Sequence, residues 1–149
     1  MPMIDHSPLF KPGFHEIDVD DLDKLFVEPF NDRTRRKELA DKLKLFLNKL
    51  KEIDAHFEIW IDGSFATEKI KPGDVDIAII YEPQEINSLP QNQIEFLDTD
   101  QNLLKIRYNL DVYYIPNNFH DKSYWKGLFG FSRSEQPKGI PRFYLGGQA

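Results

Sequence analysis

Ile61-Asp62-Gly63-Ser64, followed by Lys71-Pro72-Gly73-Asp74-Val75-Asp76-Ile77-Ala78-Ile79-Ile80-Tyr81, is the stretch on which the fold turns. The run Asp74–Tyr81 (DVDIAIIY) is β-branched and apolar, follows a Lys-Pro-Gly turn, and reads as the clearest strand in the chain. Strand side chains alternate, which puts Asp74 and Asp76 on one face and Val75 and Ile77 on the other. Two carboxylates side by side repel, so folding alone gains nothing from this placement. A divalent cation between them reverses the sign of the interaction. The oxygen-only donor set, in a chain without cysteine, points to Mg²⁺ or Mn²⁺ rather than zinc.

Working outward, His56–Ile61 (HFEIWI) reads as the preceding strand, ended by Asp62-Gly63-Ser64. Phe65–Ile70 reads as one or two helical turns. Leu110–Ile115 (LDVYYI) is a further strand, stopped by Pro116-Asn117-Asn118. Inside it Asp111 is flanked by Leu110 and Val112, where an unpaired carboxylate is costly. Upstream, Leu39, Leu43, Phe46, Leu50 and Ile53 share one helical face and predict a helix from about Thr34 to Ile53, capped by Thr34 or Asp32. A short Asp-capped helix is expected over Asp18–Phe26. Residues 92–109 are ambiguous, with a helix capped by Thr99 or Asp100 and holding Leu103, Leu104, Ile106 and Arg107. A helix over Tyr124–Phe129 and a strand over Gly139–Leu145 follow, the strand placed at a sheet edge by Pro141. Residues 8–13 (PLFKPG) read as an extended lead-in. The fold class is α/β (α+β), with a small mixed sheet and helices mainly on one face. We expect a single domain over 1–149, with a core at about 34–115, an N-terminal extension over 1–33, and a C-terminal helix and edge strand over 120–145.

The chain of 149 residues carries a net charge of -6. Such an acidic chain is a poor bulk binder of nucleic acid. Disulfides, thiolate metal sites and cysteine nucleophiles are excluded, because there is no cysteine. No apolar run is long enough to span a bilayer, and residues 1–11 lack the basic-then-apolar pattern of a signal peptide, so a cytoplasmic location is expected. Charge is uneven: acids dominate residues 1–30 and bases dominate 120–149. Solvated surface accounts for this, or the basic end faces an anionic ligand.

A third aspartate on a neighbouring strand is what a two-metal phosphoryl-transfer site needs, with two ions roughly 3.5–4 Å apart clamping the attacking and leaving oxygens. Gly63 lets backbone approach phosphates, and Ser64 with the N–H groups that follow can bind phosphate oxygens. Gly63-Ser64, nine intervening residues, Asp74-Val75-Asp76 and then Asp111 on an apolar strand resemble the DNA polymerase β-type nucleotidyltransferase superfamily. The wording Gly63-Ser64-Phe65-Ala66-Thr67 with Lys71-Pro72-Gly73-Asp74-Val75-Asp76 is most similar to its small stand-alone, minimal nucleotidyltransferase-like members. Pro12-Gly13-Phe14-His15-Glu16 and Pro137-Lys138-Gly139-Ile140 resemble an uncharacterised subfamily, the DUF6932 group. The superfamily likeness covers roughly residues 34–115.

The resemblance implies a nucleotidyltransferase fold and a metal-dependent transfer of an NMP, most readily AMP from ATP, to an acceptor hydroxyl. By the same resemblance Asp74 and Asp76 hold both of two Mg²⁺ or Mn²⁺ ions. Asp111 holds the catalytic ion and helps deprotonate the acceptor, and Gly63 and Ser64 position the β- and γ-phosphates. The acceptor could be a partner protein, in a toxin–antitoxin or phage-defence setting, because some minimal members adenylylate ribonuclease toxins. Two departures stand out: no second domain for base recognition is evident, and Phe65 follows Gly63-Ser64 where many members have a basic or small residue. The alternative is a weak or inactive module of the same fold that binds a nucleotide or a partner.

Other residues read more plainly. The aspartates could instead be structural, with Asp74 capping the strand, Asp76 paired with Lys69 or Lys71, and Asp111 paired with Arg107. The four histidines show no zinc-site spacing. Ser64 lacks the G-x-S-x-G frame of a hydrolase. Trp60 reads as core. Tyr124 and Trp125, near Lys122 and Lys126, read as a helix-packing patch or a base-stacking surface. Arg33, Arg35, Arg36 and Lys37 open a helix and read as a solvated face.

Overall fold

Alternation along the strands divides the side chains into two sets, and the chain seals one of them under helices. The computed structural model describes residues 6–132 and 136–146. Its elements are β1 (Gly13–Glu16), a 3₁₀ turn (Val19–Asp21), α1 (Leu22–Phe26), α2 (Thr34–Leu50), β2 (His56–Asp62) and a 3₁₀ turn (Ser64–Ala66). Then come β3 (Val75–Tyr81), α3 (Pro83–Asn87), α4 (Gln91–Leu97), α5 (Gln101–Tyr108), β4 (Leu110–Pro116), α6 (Phe119–Phe129) and β5 (Gly139–Gly146). Asp5, Arg133 and Glu135, counted in the charge asymmetry, lie outside the described residues.

The sheet is mixed, in the order β1-β5-β2-β3-β4. β3 and β4 run parallel, as do β1 and β5, while β2 is antiparallel to both of its neighbours. On one face Ile59, Ile61, Ile77, Ile79 and Val112 meet Leu39, Leu43, Phe46 and Leu50 of α2 in the main core. The predicted helix ends at Leu50, yet Ile53 still enters that core from the following turn. Trp60, Ala78, Ile80 and Ile115 point to the opposite face, where Phe129 of α6 covers them. The sheet is thus covered thickly on one side and by a single helix on the other.

Several expectations need correction. β5 is an interior strand, not an edge, because β1 joins its outer side. Pro141 is tolerated because the β2–β5 ladder ends at Trp60↔Arg142, one position short of it, so no β2 carbonyl waits for its missing N–H. The strand at Gly13–Glu16 lay within and beyond the supposed lead-in, and four residues carry too little periodicity to reveal it. The ambiguous region splits into α4 and α5, with Asp100 accepting the Asn102 N–H at 2.8 Å as the cap of α5. Asn109 (φ +54°) turns α5 directly into β4, a left-handed conformation that asparagine accepts more readily than most residues. α6 begins at Phe119, five residues before the predicted start, with Asn118 accepting the Asp121 N–H at 2.8 Å. Among the described residues, no helix is long and apolar enough to cross a membrane.

Candidate metal and phosphate site

The strand register places carboxylates side by side: Asp62 on β2 pairs with Asp76 on β3, and Asp76 with Asp111 on β4. Asp74 stands just before β3, which begins at Val75. Asp74, Asp76 and Asp111 each bring one carboxylate oxygen within 4.8 Å of the others. Asp76, two positions from Ala78, lies toward the thinly covered face, and Asp74 and Asp111 meet it on that side, so the core does not seal them. The set offers oxygen donors alone, which suits Mg²⁺ or Mn²⁺.

Gly63 follows Asp62 with φ +78°, and a Cβ added to it would collide with the Asp76 carboxylate. Both the dihedral and the close approach therefore call for glycine. Ser64 opens the single 3₁₀ turn after it, and its carbonyl accepts the Thr67 hydroxyl at 2.7 Å. The Gly63-Ser64 backbone thus lies directly beside the middle carboxylate of the row.

What holds this loop is Arg36, which was expected on a solvated face and is instead fully buried. Its guanidinium donates to the carbonyls of Phe26 (3.0 Å), Phe65 (2.8 Å), Ser64 (3.4 Å), Lys69 (2.7 Å) and Thr67. Its carbon centre sits 3.7 Å above the Phe30 ring. Next to it, Arg35 donates to Pro72 (3.0 Å) and Gly73 carbonyls. The first turn of α2 therefore grips both ends of the connection between β2 and β3, the segment that carries Gly63, Ser64 and Asp74. Burial depresses the Arg36 guanidinium to about 10, still charged at neutral pH.

Two lysines complete the site. Lys105 on α5 lies 3.0 Å from Asp74 Oδ2 and 3.0 Å from Asp111 Oδ2. Lys138, nearly buried just before β5, pairs with Asp62. The structural pairings considered for the aspartates, Asp76 with Lys69 or Lys71 and Asp111 with Arg107, are not found among the described residues. The partner of Asp111 is Lys105. Asp62, Lys105, Lys138 and the role of Arg36 were missed. The alternation Glu58-Trp60-Asp62 could have put Asp62 on the site face, whereas the lysines are brought in by non-local packing that no spacing encodes.

Burial pushes the Asp76 carboxyl up to about 7, and the Asp111, Asp74 and Asp62 carboxylates add to the shift. Asp62 is also raised by burial, against the pull of Lys138. At Asp111 burial acts upward and is the largest single effect, but hydrogen bonds with Lys105, Asp76 and Asp74 and the Lys105 charge together outweigh it, and the carboxyl ends below its usual value. A raised folded-state value stabilises the fold at pH below the unfolded value, and that stability is lost as pH rises through about 7. Asp76→Asn removes this penalty. In chelator, the variant should therefore gain on the wild type by about 2–4 kcal/mol between pH 4 and pH 8, read by denaturant unfolding. A variant destabilised at every pH would mark Asp76 as a structural salt-bridge partner instead.

The basic C-terminal stretch is distributed over the same face. Lys122, Lys126 and Arg142 line a cavity of about 390 Å³ with Phe14, Trp60 and Asn117 beside α6. Lys122 pairs with Glu58 at 3.2 Å, and Arg142 with Glu16 and Glu58. Trp125 packs on Tyr113 and Phe129 at ring distances of 5.1 Å and 6.0 Å, a packing patch, while Tyr124 is exposed.

Compared with known proteins, residues 2–143 match the family model DUF6932, described as a family of unknown function. No curated protein and no solved structure matches the chain.

Proposed function

The chain belongs to the DUF6932 family, whose description names no activity, and from the geometry of its site we propose a metal-dependent nucleotidyltransferase. In this reading the fold is of the nucleotidyltransferase type, and an NMP, most readily AMP from ATP, passes to an acceptor hydroxyl with release of pyrophosphate. The observation that carries the reading is the convergence of Asp74, Asp76 and Asp111 within 4.8 Å on the open sheet face. Gly63, compelled by both its dihedral and Asp76, supports it by bringing bare backbone against that cluster.

Asp74 and Asp76 would hold Mg²⁺ or Mn²⁺, with Asp111 as the third ligand. The ions would neutralise charge on the phosphates and on the oxygens gained and lost. Gly63 and Ser64 would orient the phosphate tail, and Asp111, on the edge strand, would accept the proton of the acceptor hydroxyl. Arg36 and Arg35 would act at a distance, by keeping the β2–β3 connection in place.

A second reading is a nucleotide-binding or partner-binding module without turnover. It is favoured by Lys105, which already neutralises Asp74 and Asp111. Thermal unfolding in chelator, in Mn²⁺, and in Mn²⁺ with ATP tests for the ligands, and incorporation of labelled AMP into a co-purified acceptor tests for transfer. Protection with incorporation supports the enzyme. Protection without incorporation supports the nucleotide-binding module, and no protection at all sinks the enzyme and leaves only a partner-binding module.

A further inference from the structure

Lys105 carries an inference that rests on the metal reading above and concerns how that site is kept before a metal arrives. We propose that Lys105 is a built-in counter-ion of the acidic site, bridging Asp74 and Asp111 until Mg²⁺ or Mn²⁺ binds and withdrawing when it does. The ammonium lies 3.0 Å from Asp74 Oδ2 and spans both oxygens of Asp111, at 3.1 Å and 3.0 Å. These two residues come from different elements, so Lys105 ties the start of β3 to β4 as a metal would. Without a cation between them the Asp74 and Asp111 carboxylates would repel one another.

Lys105 and a dication cannot share these oxygens. Both would sit within a few ångströms of one another, where like charges at a partly buried site repel by several kcal/mol at an effective dielectric of about 20. The lysine is the one that can leave. Its side chain is about half exposed, on a flexible four-carbon stem. Its helix is anchored by Leu104 and Tyr108, both in the main core, so the backbone need not move. Arginine, with a planar fork suited to a carboxylate, would hold on longer. Once released, the ammonium stays at the rim of the site, where an anion arriving with the metal would meet it. Asp62 is already matched by Lys138 and does not compete for Lys105. Lys105 is thus a positioning residue that sets the threshold for metal entry.

The test uses Mn²⁺ alone on the full chain. Calorimetry should show Lys105→Met binding Mn²⁺ about tenfold or more tightly than the wild type, and Asp76→Ala not binding. In parallel, an amine-reactive acetylating reagent is applied to the wild type and modification of Lys105 is read by mass spectrometry. Modification should rise several-fold on adding Mn²⁺ and stay flat in Asp76→Ala. Equal Mn²⁺ affinity in wild type and Lys105→Met, with unchanged modification, overturns the role of Lys105 and leaves the metal reading standing. Absence of Mn²⁺ binding in both overturns the two together. Should Lys105→Met fail to fold, the modification experiment on the wild type decides alone.

Discussion

Asp76→Ala is expected to lower labelled-nucleotide transfer by at least about 10³-fold, close to 4 kcal/mol of transition-state stabilisation. Phosphoryl transfer depends on positioning and charge neutralisation, with little covalent work by the protein. Asp76 occupies the middle of the row, between Asp62 and Asp111, with Asp74 beside it. Among the described residues, Asp76 is the one carboxylate in register with a carboxylate on each neighbouring strand. Asp74→Ala should cost nearly as much, because in the proposed site it holds the ions together with Asp76. Ser64→Ala should cost far less and act mainly on nucleotide affinity, because neighbouring backbone N–H groups remain. The fold should survive Asp76→Ala, since its carboxyl meets repulsion rather than a basic partner. Steady-state transfer of labelled AMP, beside calorimetric ATP binding, checks the set. Transfer within tenfold of wild type in Asp76→Ala would remove the carboxylate row from the chemistry.

Arg36→Met should destabilise the protein by about 3–5 kcal/mol in denaturant unfolding, a large share of the stability of a domain this size. Methionine fills much of the volume but leaves the carbonyls of Phe26, Phe65, Thr67 and Lys69 without the guanidinium donor, while the Ser64 carbonyl keeps the Thr67 hydroxyl. Each unsatisfied buried carbonyl costs on the order of 1–3 kcal/mol before the loop relaxes. Relaxation would reduce the sum and, with it, the order of the Gly63–Asp74 connection. Arg36→Lys should recover little, because one ammonium with three donors cannot span carbonyls that the planar guanidinium reaches on two sides. A loss below about 1 kcal/mol would show that the loop keeps its shape without the clamp.

The contrast between these two residues shows what could be read locally. Asp76 was legible because its meaning is periodic: a strand alternates, so the Asp74-Val75-Asp76 spacing puts two carboxylates on one face whatever surrounds it. Asp111 was legible for a similar reason, as a charge inside an apolar strand. Gly63 stood out as a glycine at a strand end, although only the fold shows the two reasons nothing larger fits there, its φ of +78° and the approach of Asp76. Arg36 was misread because a basic residue in the first turn of a helix usually meets water. Its burial depends on Phe26, Phe30 and the distant loop at 64–69 closing around it.

The amino-acid sequence by itself determined the α2 face, the strands β2, β3 and β4, and the placing of Asp74 and Asp76 on one side of β3 with Asp111 inside β4. These follow from periods of 3.6 and 2, which a helix and a strand impose on neighbouring residues. The tertiary structure alone decided that β5 lies inside the sheet, that Asp62 joins the carboxylate row, and that Lys105 and Lys138 supply its cations. Those outcomes depend on strand order and on contacts between segments far apart in the chain. A residue's own period fixes the direction of its side chain but not which partner the rest of the fold brings to meet it.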